Sequence, residues 1–167
     1  MRYNQLEYFS VANGSGIRTV LWVQGCDHHC YGCQNPQTWD FREGNEFTEK
    51  TVAKIIKSLK SSSIKGITFS GGDPLNPKNV EEITKLAKLV RETYPEKSIW
   101  CYTGYNWSDV DKFEIMSYLD VLVDGKFDLQ KRNLALPYCG SENQHVIDVQ
   151  KSLASGEMVV IPSRTSL

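Results

Sequence analysis

Strand-like and helix-like stretches alternate along this chain, and four of the strand-like stretches end at or beside a glycine. Arg18–Gln24 is rich in β-branched and aromatic residues and leads into Gly25-Cys26. Thr48–Lys60 is predicted to be helical, because Val52, Ile55, Ile56 and Leu59 recur at i, i+3, i+4 and i+7. Thr48, with Glu49 and Thr51 close behind, supplies the capping signal. Gly66–Ser70 reads as a short strand ending in Gly71-Gly72-Asp73-Pro74. A second helix is expected over Asn79–Thr93, with Val80, Ile83, Leu86, Ala87 and Val90 on one face and Pro95 closing it. Ser98–Tyr102 is the next strand and leads into Thr103-Gly104, Asp109–Tyr118 is a weaker helix, and Leu119–Asp124 is a strand that stops at Gly125. His145–Val149 forms a last strand or edge.

Alternation of this kind, with no linker and no repeat, predicts one α/β domain over residues 1–167 on a mainly parallel sheet. Active sites of barrel-like α/β folds lie at the carboxyl ends of their strands, so the four glycine-bearing exits would line one face. A complete eightfold barrel takes around 250 residues. This chain is expected to form an incomplete, partial barrel with one side open.

Three of the five cysteines crowd into eight residues, Cys26-Asp27-His28-His29-Cys30-Tyr31-Gly32-Cys33. An odd cysteine count argues against a disulfide framework. Met1-Arg2-Tyr3-Asn4-Gln5 shows no apolar signal segment, so the expected compartment is the cytoplasm. The C-x3-C-x2-C loop admits two metals. A structural zinc wants four closed ligands, and His28 or His29 can supply the fourth. An iron–sulfur cluster also usually takes four cysteines, so three would leave one iron open to bind something else, which makes the site catalytic. Cys101, in an apolar strand, reads as core, and Cys139 sits beside Gly140 in a loop. Trp22 and Trp100 read as core too, while Arg18 and Lys126 are candidates to orient a carboxylate or meet a partner, or are simply solvated. Composition closes other routes. With 19 Lys plus Arg against 20 Asp plus Glu, the net charge is −1, which argues against nucleic-acid binding. No apolar run approaches the roughly 18 residues of a membrane helix. An apolar share of 40% with 12 glycines and 6 prolines excludes disordered and collagen-like classes.

Taken in order, these motifs resemble the radical S-adenosylmethionine superfamily: Cys26-x-x-x-Cys30-x-x-Cys33 after one strand, then Ser70-Gly71-Gly72-Asp73-Pro74 after the next. Within it the likeness is greatest to the activators of anaerobic ribonucleoside-triphosphate reductase. That likeness is carried by Asn13-Gly14-Ser15-Gly16-Ile17-Arg18, Cys26 to Asn35, Trp100 to Tyr105, Val123 to Phe127 and Gly140-Ser141-Glu142-Asn143-Gln144. Many members of the superfamily place an aromatic residue just before the third cysteine. Here Gly32 stands there, with Tyr31 one position earlier, as in the reductase activators. Where the family often has Arg-Gly-Ser, this chain has Cys139-Gly140-Ser141, so no role is carried over for that arginine.

The resemblance implies a radical S-adenosylmethionine oxidoreductase. Cys26, Cys30 and Cys33 would hold a [4Fe-4S] cluster, with no catalytic residue beyond these ligands. The open iron would chelate the amino and carboxylate groups of S-adenosylmethionine, and an electron from the reduced cluster would release methionine and a 5′-deoxyadenosyl radical. The cofactor supplies that chemistry, while the protein supplies position and exclusion of water. Gly71 and Gly72, without Cβ atoms, suit close approach to the methionine end. Asp73 is expected to accept from its ammonium, and the backbone of Gly32, Cys33 and Gln34 to contact the adenine. The implied partners are the glycine-bearing segment of a class III reductase large subunit, which would receive a glycyl radical, and a reducing protein as electron donor. The alternatives are another glycyl-radical activase such as that of pyruvate formate-lyase, a small-molecule enzyme of the same superfamily forming a deazaguanine, and a non-catalytic zinc-binding module.

Overall fold

A computed structural model describes residues 1–162, and positions 163–167 of the expected domain lie outside the described residues. The elements are β1 (Arg2–Ser10), β2 (Arg18–Val23), β3 (Asn45–Glu46), α1 (Glu49–Leu59), β4 (Gly66–Gly71), α2 (Val80–Thr93), β5 (Ser98–Tyr102), α3 (Trp107–Val110), β6 (Val121–Asp124), β7 (His145–Asp148) and α4 (Val149–Ser155). Both long helices form where the periodicity put them. Thr48 and Thr51 close the start of α1 as a capping box. Ile55 and Leu59 of α1, and Ile83, Leu86, Ala87 and Val90 of α2, make the buried stripes that face the sheet. Among the described residues, no helix is long and apolar enough to cross a membrane.

The expected helix over Asp109–Tyr118 is broken in two. Val110, Ile115, Met116 and Leu119 are all buried, yet at 3.6 residues per turn Val110 and Leu119 fall on opposite sides of one helix. The chain resolves this at Phe113, whose backbone is extended, leaving the short α3 and a 3-10 turn at Glu114–Ser117. After β7, Asp148 accepts from the Lys151 amide at 3.1 Å and starts α4.

One sheet contains all seven strands, in the order β3-β1-β2-β4-β5-β6-β7. The expectation of a mainly parallel sheet needs correction. β2, β4, β5 and β6 pair parallel, but β1 runs antiparallel to both β2 and β3, and β7 antiparallel to β6. Parallel neighbours need a crossover, and here helices follow β4 and precede it. β1 and β2 are joined by a short turn, and β6 and β7 by a segment without a crossover helix, so both pairs fold back antiparallel.

Strand alternation separates the two faces. Leu21, Phe69, Cys101, Leu122 and Ile147 belong to one core with the helices. Trp100, Val121, Val123 and Val146 form a smaller cluster of their own, and beside it Trp22, Ser70 and Tyr102 border a cavity. Cys101 and Trp100 are core residues as expected, whereas Trp22 is half-buried and donates from Nε1 to Glu7 at 2.9 Å.

Arg18 is neither solvated nor aimed at a carboxylate. It is 0% exposed, and its guanidinium ties three strands and a loop together. Nε donates to Thr68 Oγ1 at 2.7 Å, Nη1 to Ser98 Oγ and the Ser15 carbonyl at 2.8 and 3.0 Å, and Nη2 to the carbonyls of Ile67 and Ser98, both at 2.8 Å. It also lies 5.3 Å from the Trp100 ring centroid. Burial pulls its pKa down to about 10, which leaves it charged at neutral pH. Replacing Arg18 by Met keeps the apolar stem but strands several buried acceptors, each worth about 1–3 kcal/mol when orphaned. Urea unfolding of R18M should show a loss of about 2–4 kcal/mol at an unchanged m-value. A loss under about 1 kcal/mol would mean that these bonds do not hold the strands together.

Candidate metal centre

β2 ends at Val23, and the next residues are fixed by backbone bonds before the cysteine loop begins. The Gly25 amide donates to the Thr38 carbonyl at 2.7 Å and the Cys26 amide to the Trp39 carbonyl at 3.1 Å. Gln24 Nε2 adds bonds to the carbonyls of Gln37 and Asp40 at 3.0 and 2.9 Å. The loop is therefore pinned at its root and on its far side. Within it, His29 holds a left-handed backbone at φ 48°, a conformation uncommon for a residue with a side chain, and its ring packs 4.8 Å from that of Trp39.

All three loop cysteines are free thiols and border one cavity of about 600 Å³. The Asn35 amide donates to Cys33 Sγ at 3.3 Å, and the amides of His28 and His29 act on the Cys26 thiol and that of Phe127 on Cys30, in each case favouring the thiolate. Amide donors favour the thiolate, the form that binds metal. Burial works the other way, pushing Cys26 up to about 11 and raising Cys30. Among the described residues, no three His, Cys, Asp or Glu side chains are gathered tightly enough to hold one metal ion. Three amide-supported thiols bordering one roomy cavity fit a polynuclear cluster better than a single ion.

The same cavity brings in the turn after β4. Gly71, Gly72, Asp73 and Gln34 all border it. Gly71 has φ 105°, and a Cβ there would stand 2.6 Å from the Val23 carbonyl oxygen. A Cβ on Gly72 would stand 2.5 Å from the Gly25 carbonyl oxygen. The amides of Gly72 and Asp73 bond to the carbonyls of Val23 and Gly25, both at 2.9 Å. Glycine at 72 is thus demanded by the root of the cysteine loop, before any ligand enters. Gly32 is placed differently. It is exposed with φ 74° and packs beside Leu129, outside the cavity wall.

Asp73 borders the cavity and is already bonded to protein donors. It is 0% exposed. Oδ1 accepts from the Leu75 amide and from Thr103 Oγ1, both at 2.9 Å. Oδ2 accepts from the Gly104 amide at 2.9 Å, His28 Nε2 at 2.7 Å and Thr103 Oγ1 at 3.1 Å. Those donors take up the roughly four acceptor sites of a carboxylate. Its observed work is to bind the cysteine loop to the ends of β4 and β5.

Sequence reasoning noted Thr103-Gly104 only as a strand exit and offered His28 as a candidate zinc ligand. Both converge on Asp73 from 30 or more positions away, and no local pattern signals it. The far wall comes from the segment after β6, through Phe127, Leu134, Tyr138 and Cys139. Cys139 is half-buried there, its thiol pushed up to about 11 by burial and by Asp124. Cys101 lies on the opposite, helix-covered face and is fully buried.

Comparison with known proteins agrees with this geometry. Residues 12–147 match the family described as "4Fe-4S single cluster domain". The chain is 42% identical over 146 residues to the anaerobic ribonucleoside-triphosphate reductase-activating protein of Enterobacteria phage T4, covering 87% of this chain and 93% of that protein. It is 40% identical to the protein of that name from Vibrio cholerae, covering 86% of this chain and 96% of that one. Against the Escherichia coli K12 protein the identity is 41%, with 87% and 97% covered. Three amide-supported thiols on one cavity and near-complete overlap with these relatives lead to one conclusion: the chain belongs to the 4Fe-4S single cluster family, among the anaerobic ribonucleoside-triphosphate reductase-activating proteins.

Proposed function

We propose that this protein activates an anaerobic ribonucleoside-triphosphate reductase by generating a glycyl radical on its large subunit. The observation that carries the reading is the single cavity bordered by Cys26, Cys30, Cys33 and the Gly71-Gly72 turn. When bound, a [4Fe-4S] cluster and S-adenosylmethionine supply reductive carbon–sulfur cleavage and the removal of a glycine α-hydrogen. The chain's own residues do the rest. Cys26, Cys30 and Cys33 would hold three irons and leave the fourth for the methionine end. The Gly71-Gly72 backbone borders the same cavity and would meet the methionine end, and the backbone of Cys33 and Gln34 would contact the adenine. Asp73 keeps the glycine turn and the cysteine loop in register. The sheet face opposite the helices forms an incomplete barrel whose open side admits an extended protein segment. A radical there needs cover from water and stray donors, which a docked segment provides. Small-molecule substrates instead favour pockets that enclose them. The remaining partner is a reducing protein, and the setting is the cytoplasm.

Three results follow. Replacing Cys26, Cys30 or Cys33 by Ala should abolish iron–sulfide binding or S-adenosylmethionine cleavage after anaerobic reconstitution, while Cys101→Ala preserves both. Wild-type cleavage in any of the three loop variants, or stoichiometric zinc in place of iron and sulfide, overturns the assignment. Gly72→Val should lower iron and sulfide content as well as S-adenosylmethionine affinity, because its side chain displaces Gly25 at the root of the loop. Full loading with unchanged affinity would reduce the turn to simple chain reversal. Reductase deuterated at its glycine α-carbons should pass deuterium into 5′-deoxyadenosine, read by mass spectrometry, and a reductase with the radical glycine changed to Ala should pass none. Brisk cleavage without deuterium transfer would rule out the protein substrate.

A further inference from the structure

The loop residue His28 is gripped from three sides. Its Nε2 lies 2.7 Å from Asp73 Oδ2, its ring meets that of Tyr105 edge to face at 4.6 Å, and a Cβ on Gly104 would collide with it. The imidazole side chain is only 10% exposed. Since Asp73 is itself held by Leu75, Thr103 and Gly104, the ring is anchored to the exits of β4 and β5 rather than to its own loop. The backbone of the same residue faces elsewhere: the amides of His28 and His29 lie on the side of the Cys26 sulfur and favour its thiolate. Between Cys26 and Cys30 there are only three residues. One of them, His29, holds the left-handed backbone described above, which persists only where the surroundings enforce it.

We propose that His28 is a positioning residue for the cluster: its ring, moored to Asp73, aims the His28 and His29 amides at Cys26 and thereby sets the cluster's reduction potential. The proposal rests on the reading that Cys26 carries one iron of the cluster. Hydrogen bonds to cluster sulfurs are among the factors that set such potentials, and groups one step behind the ligands orient and tune them. An N–H pointing at a thiolate sulfur withdraws electron density and eases reduction. Freed of its mooring, the loop relaxes from the His29 conformation, the amides turn from Cys26, and reduction becomes harder. The ring's Nε2 is engaged by Asp73 and is not free to bind iron.

The test is a potentiometric titration, followed by electron paramagnetic resonance, of the full chain reconstituted with iron and sulfide. His28→Ala should load iron and sulfide as wild type does, with the reduction potential shifted to a more negative value. His28→Gln, whose side-chain amide can still donate to Asp73, should return the potential toward wild type, a rescue that bulk loss of stability does not produce. A loaded His28→Ala protein with the wild-type potential overturns the proposal, as does a Gln variant that stays at the Ala value. If His28→Ala does not load, Tyr105→Leu, which loosens the ring without removing it, should give the negative shift, and an unshifted value there is equally decisive against it. Wild-type protein that binds no iron and sulfide overturns the underlying assignment of Cys26 too, and is distinguished from the other outcomes by the absence of any signal to titrate.

Discussion

A buried carboxylate that has exchanged water for protein donors is costly to unpair and holds tightly whatever supplies those donors. Asp73 is that group here. Its donors come from the cysteine loop through His28, from its own turn through Leu75, and from the exit of β5 through Thr103 and Gly104. Hydrogen bonds to a charged acceptor contribute about 1.5–3 kcal/mol each, so the arrangement is among the strongest polar links in the molecule. Asn79 strengthens it from the start of α2, its Nδ2 donating to the Asp73 and Gln24 carbonyls at 2.9 and 3.1 Å. This junction adds the exit of β5 to the backbone bonds that already join the cysteine loop to the glycine turn.

Packing on the two faces of the sheet differs in kind. On one face, Leu21, Phe69, Cys101 and Leu122 meet α1 and α2 in a single apolar core, which makes the strand exits a rigid platform. On the other, the deep end is closed by polar bonding, with Arg18 and Trp100 beneath Asn13 and Thr68. Thr68 Oγ1 donates to the Asn13 carbonyl at 2.7 Å, and a Cβ on Gly14 would press on both Arg18 and Trp100 at 2.9 Å. The stretch Asn13-Gly14-Ser15-Gly16 is therefore the floor beneath the cavity. Its glycine requirement comes from that close packing.

How far the fold could be read depended on whether a residue's partners were near in sequence. α1, α2, β2, β4, β5 and β6 carry their own periodicity and turn residues, and they appear within a residue or two of expectation. β1 escaped notice because none of its positions from Arg2 to Phe9 is fully buried, which leaves a strand with no clear alternation, flanked on its outer side only by the two-residue β3. The broken helix near Phe113 reflects a tertiary demand to bury Val110 and Leu119 together. The cysteine loop and glycine turn were legible as motifs, but what they touch was not. Gly72 was read as space for a ligand and is filled by Gly25, and Asp73 was read as a ligand contact and faces protein donors. Arg18 could be assigned no partner in sequence because four of its five bonds reach residues 49 to 80 positions away.

The wall formed between β6 and β7 differs from the rest of the site in how it is held. Residues 126–144 carry no helix or strand beyond the 3-10 turn at Leu129–Lys131. Apart from one β-bridge between Arg132 and Ser141, with the Asn133 and Glu142 amides bonded to the carbonyls of Gly140 and Lys131, their shape depends on side chains bonding to backbone. Gln144 Oε1 accepts from the Gly140 and Ser141 amides at 2.8 and 3.1 Å while its Nε2 donates to the Gly125 carbonyl at 2.8 Å. Asn143 Nδ2 closes on the Lys126 carbonyl at 2.8 Å, and the Asp128 amide on Ser141 Oγ at 3.1 Å. Segments latched by a few such bonds, with little apolar burial, open at lower free energy than core strands do. Leu134, 77% exposed, stands on this wall, and Tyr31, 85% exposed, on the cysteine loop. The thiols and glycines are thus fixed to the rigid platform, while the wall that faces them is the part of the site with the least apolar anchoring. A site that must hold a cluster still and act on a reductase partner is served by that division, with precision on the strand exits and compliance across from them.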